Sequence, residues 1–132
     1  MQKRLATLRR MLNVQNDIRR IGELKLATLQ RQQASAEETE VRLVSYLDEN
    51  HIYTPGYMKT LADKLQAVGR AKRRFAEQAE AQAKFLLECR RRAGQVERAL
   101  ETVAEQHRRA EERRDLDAAI EAEMNRKGAS LP

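Results

Sequence analysis

Between Met58 and Val103 apolar side chains return at alternating steps of three and four. The row runs Met58, Leu61, Leu65, Val68, Phe75, Ala79, Leu86, Cys89, Ala93, Val96, Leu100 and Val103, with Lys72 and Gln82 in the two remaining positions. A seven-residue repeat sustained over this length is the signature of a coiled-coil seam. After Pro55 no proline recurs until Pro132, and only Gly69, Gly94 and Gly128 interrupt the stretch from Met58 onward. A long helix with one apolar stripe cannot enclose a small molecule by itself. A chain built this way works by touching other macromolecules.

Composition points the same way. Charged residues make up 35% of the 132 positions, aromatics 4%, and tryptophan is absent. Such a mixture suits long solvent-bathed helices, whose apolar surface is a narrow seam and not a bulky core. No run of alternating β-branched residues suggests a strand. One cysteine, Cys89, excludes an intrachain disulfide. The basic N-terminal stretch lacks the continuous apolar core of a secretion signal, and no segment approaches the ~20 apolar residues that span a bilayer. The chain reads as soluble and cytoplasmic.

The strongest punctuation lies between Asp48 and Gly56. Asn50 reads as a helix stop, and Thr54-Pro55 as an N-cap with proline in the first helical position, where its missing N–H costs nothing. Upstream, Leu5, Leu8, Met11, Leu12, Val14, Ile18, Ile21, Leu24, Leu26, Leu29, Leu43, Tyr46 and Leu47 supply the apolar stripe of a first helix. From Gln30 to Thr39 this stripe is polar apart from Ala34 and Ala36, a weak stretch.

The predicted architecture is all-α: a long antiparallel two-helix coiled-coil hairpin spanning residues 1–132. Helix 1 covers about 3–48, the turn about 49–54, helix 2 about 55–127, and a short tail 128–132. A link this short between two amphipathic helices favours antiparallel packing. Helix 2 is the longer by some 25 residues, an expected overhang of ~35–40 Å at ~1.5 Å per residue. Arg126 and Lys127 suit the negative pole of its dipole, with Gly128 as a left-handed cap. Beyond Val103 the seam passes through His107, Ala110 and Arg114 and dissolves, while Leu116 and Ile120 define a shifted stripe.

Charge is distributed unevenly. Residues 1–47 carry 9 − 5 = +4, residues 48–57 carry −2, and residues 58–132 carry 17 − 13 = +4. Two basic arms flank an acidic link, a layout that steers towards an acidic partner. Arginines cluster at Arg9-Arg10, Arg19-Arg20, Arg90-Arg91-Arg92, Arg108-Arg109 and Arg113-Arg114, with glutamates three or four positions away. Neighbours on a helix point ~100° apart, so these groups spread over an arc. They form either a solvated, internally paired surface or a basic ring for a partner. Nucleic-acid binding has no support from aromatic interleaving.

No glycine-rich phosphate loop, cysteine pair or histidine pair at ligand spacing is present, so no enzyme, cofactor or metal site is expected. His51 reads as a solvated turn residue, His107 as the point where the seam ends, and Cys89 as a small core hydrophobe. All three tyrosines, Tyr46, Tyr53 and Tyr57, fall within twelve residues around the turn. They either close the tip or offer a docking surface with polar handles.

Taken together, the hairpin pattern and the run from Val96 to Asp117, rich in arginine and glutamate and closing on Leu116-Asp117, resemble the FliJ/YscO family of flagellar and type III export proteins. The resemblance covers nearly the whole chain. It implies a non-enzymatic stalk that inserts into a hexameric export ATPase, touches the cytoplasmic domain of the export gate and escorts substrate chaperones. Such a protein is peripheral to the inner membrane through these partners only. By placement, the gate contact implied for the hairpin tip falls on Leu43, Tyr46, Leu47, Tyr53, Tyr57, Leu61 and Leu65. The paired helix ends would enter the ATPase ring through Arg10, Arg20, Arg108, Arg109, Arg113 and Arg114. The alternatives are a generic dimeric coiled-coil scaffold and a basic nucleic-acid-associated helical protein.

Overall fold

The computed structural model describes residues 2–49 and 55–129, and every described residue is helical: α1, Gln2–Glu49, and α2, Pro55–Ala129. Pro55 opens α2, where the first helical position has no use for an N–H. The expected stop at Asn50, the cap at Thr54, His51, Tyr53 and residues 130–132 lie outside the described residues. Arg126 and Lys127 occupy the last turn of α2, facing its negative pole. Gly128 corrects one expectation: it continues the helix, and no glycine among the described residues has a positive φ. No helix is long and apolar enough to cross a membrane among the described residues.

The seam read from the sequence of α2 coincides with its buried edge. Every position of that row, from Met58 through Val103 and on to His107 and Ala110, is buried or half-buried. On α1 the corresponding edge is a strict three-four row: Leu5, Leu8, Leu12, Gln15, Arg19, Gly22, Leu26, Leu29, Gln33, Ala36, Glu40, Leu43 and Leu47. This corrects the α1 stripe. Met11, Val14, Ile18, Ile21 and Leu24 are exposed, because they stand off the seam while Gln15, Arg19 and Gly22 occupy it.

The contacts group the chain into two compact units, Asp17–Arg90 and Met1–Asn16 with Arg91–Pro132. The first is by itself an antiparallel helical pair. Glu40 meets Lys72 at 2.9 Å, Gly22 meets Gln82 at 3.1 Å, and Glu23 reaches Arg90 at 3.9 Å. Its core is Leu29, Leu61, Ala79, Leu86 and Cys89. The two polar interruptions of the α2 seam are thereby explained. Lys72 finds a carboxylate and Gln82 finds a backbone carbonyl on α1, so neither sits in the seam without a partner.

The second unit buries Leu5, Ala93 and Val103. Gln2 and Lys3 of α1 line one hollow with His107, Ala110, Glu111 and Arg114 of α2. From Glu111 to Gly128 every residue of α2 is exposed.

Candidate partner-binding surfaces

Seam geometry divides the residues expected at the hairpin tip into two groups. Leu43, Leu47 and Leu65 are half-buried, and Leu61 is only 5% exposed. A spacing of four between Leu61 and Leu65 places both on the face that packs against α1, so their apolar surface closes the helix pair before it can meet a partner. Tyr46 and Tyr57 remain accessible, at 49% and 47%. The exposed side chains of this region also include Val41 and Val44, which the sequence reading left unassigned. Tyr53 lies outside the described residues.

The arginines expected to meet an ATPase ring are all exposed. Arg20 belongs to the unit Asp17–Arg90 and stands 3.9 Å from Asp17 on its own helix. Arg10, Arg108, Arg109, Arg113 and Arg114 belong to the other unit. There Arg108 is the hub of a local network: its Nη2 donates to Glu105 at 2.6 Å, its Nε to the other oxygen of Glu105 at 3.0 Å, and its Nη1 to Glu112. Arg109 Nε adds a third bond to Glu105 at 3.1 Å.

These donors shift the acid they surround. Hydrogen bonds first from Arg108 and then from Arg109 pull the Glu105 pKa down from 4.5 to about 2. Reciprocally, the bond to Glu105 raises Arg108 above the usual arginine value. Arg108 and Arg109 thus present charge already shared with acids one turn away. Arg114 instead borders the hollow of about 380 Å³ with Gln2, Lys3 and Glu111.

A third surface was not anticipated. In the unit Asp17–Arg90 an apolar groove of about 690 Å³ runs between the helices, walled by Ile18 and Ile21 on α1 and by Ala81 and Phe85 on α2. Gly22 forms its floor and Lys25 is the charged residue on its lining. Ile21 is 67% exposed and Phe85 49%. The signal was present in the sequence as a second repeat: Met11, Val14, Ile18 and Ile21 step by three, four and three, one position ahead of the seam.

No family model, no curated protein and no solved structure matches this chain.

Proposed function

We propose that the chain is a non-enzymatic stalk and adaptor of a flagellar or type III protein export apparatus, acting at the cytoplasmic face of the inner membrane through its partners. The observation that carries this reading is the run from Glu111 to Gly128. Here a helix rich in charge, broken by Leu116, Ile120 and Met124, has every residue exposed, in the unit that also bears Arg10, Arg108, Arg109, Arg113 and Arg114. A helix with no apolar face buried within its own chain is suited to entering a charged channel. A hexameric export ATPase supplies one. Tyr46, Tyr57 and their exposed neighbours Val41 and Val44 then serve the export gate, and the remaining polar surface serves substrate chaperones.

Titration of the purified protein into the export ATPase at low salt tests the reading. The hexameric fraction and the turnover are expected to rise together, and Arg113→Glu with Arg114→Glu to weaken both. Added salt weakens the contact as well, since the steering charges are exposed. Unchanged hexamerisation and turnover across the titration would sink it. One observation favours a second reading, a self-associating coiled-coil scaffold: the apolar groove at Ile21 and Phe85 stands open.

A further inference from the structure

We infer that this chain associates with a second copy of itself by seating the C-terminal stripe of one α2 in the Ile21–Phe85 groove of another. The inference rests on the self-association reading and not on the export one, and its test requires no partner protein.

Both halves of the contact are exposed on the same chain. The stripe is Leu116, Ile120 and Met124, exposed at 60%, 48% and 67% and spaced by four, so the three share one side of the helix. Three anchors at that spacing cover about 12 Å of helix axis. The groove walls run from Ile18 to Leu29 on α1 and from Gln78 to Phe85 on α2, about 16 Å and about 10 Å of helix at the same rise. An apolar row on a helix, laid between two helices, matches the groove in length and in chemistry.

Charge agrees with this occupant. Asp115 and Asp117 flank Leu116 and Glu121 follows Ile120, while Glu123 beside Met124 is already paired with Arg126 at 2.7 Å. The groove's charged lining residue is Lys25, of opposite sign. Phe85 and Leu116 stand on one uninterrupted helix, so the stripe that fills a groove comes from another molecule. The contact is heterologous: one surface meets a different surface.

The test is sedimentation equilibrium of the full chain over a wide concentration range, with circular dichroism to verify that each variant keeps its helices. Wild type is expected to gain mass with concentration. Ile120→Lys in the stripe and Ile21→Lys in the groove each weaken association by tenfold or more, as does Lys25→Glu. Mixing the Ile120→Lys and Ile21→Lys proteins restores association, because one contributes an intact groove and the other an intact stripe. A wild type that stays monomeric overturns the inference. So does a stripe variant that associates like wild type, which would indicate groove meeting groove, or a mixture no better than its components.

Discussion

Gln82 Nε2 donates a hydrogen bond to the backbone carbonyl of Gly22 across 3.1 Å, inside the seam between α1 and α2. The same glycine accommodates Leu86. A Cβ built on Gly22 would stand 2.7 Å from Leu86 Cδ2 and 3.2 Å from Gln82 Nε2. Leu86 is almost wholly buried, so it has little room to retreat. The absence of a side chain at position 22 is what lets the two helices approach closely here.

Gly22→Ala is therefore expected to destabilise the chain despite alanine's advantage in a helix. Overpacking costs about 1–3 kcal/mol, against a gain of about 0.5–1 kcal/mol from helix propensity. Gly94→Ala is the control with the opposite sign. A Cβ there meets nothing within 4 Å, so only the propensity gain remains. Urea unfolding of the two variants should move the midpoint in opposite directions.

Arg19 occupies a seam position, yet its Nε is enclosed with no hydrogen-bond partner, and Glu23 lies 3.7 Å away. The side chain is 40% exposed, so replacing it by leucine gives up only a solvent-screened ion pair with Glu23 while it removes an unsatisfied donor and adds apolar contact. Arg19→Leu should raise stability by about 1 kcal/mol, measured by thermal or urea denaturation.

Lys72 and Glu40 form a cross-helix pair with both side chains about one-third exposed. Partial shielding places its coupling near the top of the surface range, about 1 kcal/mol in a double-mutant cycle. Lys72→Glu alone sets two carboxylates together and should cost more than Lys72→Ala. Adding Glu40→Lys should recover most of that loss.

Glu105 sets a pH dependence. Its folded pKa is depressed from 4.5 to about 2, so its pairing with Arg108 and Arg109 is complete above the ordinary carboxylate value and is lost as pH falls through about 2. A carboxyl-carbon NMR titration should place the Glu105 midpoint near 2 in the wild type. In an Arg108→Gln, Arg109→Gln variant it should return towards 4.5.

The α2 seam was legible because its apolar residues also occupy the buried positions. Only Lys72 and Gln82 depart from the pattern, and the pattern survives two interruptions. On α1 the same reasoning found Leu5, Leu8, Leu12, Leu26, Leu29, Leu43 and Leu47 but missed the polar members between them. There the seam contains Gln15, Arg19, Gly22, Gln33 and Glu40, whereas Val14, Ile18 and Ile21 face outward. Hydrophobicity alone cannot predict a seam whose polar members are matched by residues sixty and thirty-two positions away, as Gly22 is by Gln82 and Glu40 by Lys72. At the tip, the family resemblance implied a docking surface that included Leu61 and Leu65. Helical periodicity puts both on the seam, with Leu61 buried and Leu65 half-buried, while Tyr46 and Tyr57 stay accessible.

Cys89 is only 3% exposed, packed in the seam of its unit. A thiol so enclosed cannot bridge two intact copies, so disulfide crosslinking between Cys89 residues is no measure of pairing between chains. It is instead a clock for separation of the two strands. A maleimide reagent will modify Cys89 only during moments when the helices part, and the modification rate will report how often that zipper opens under working conditions.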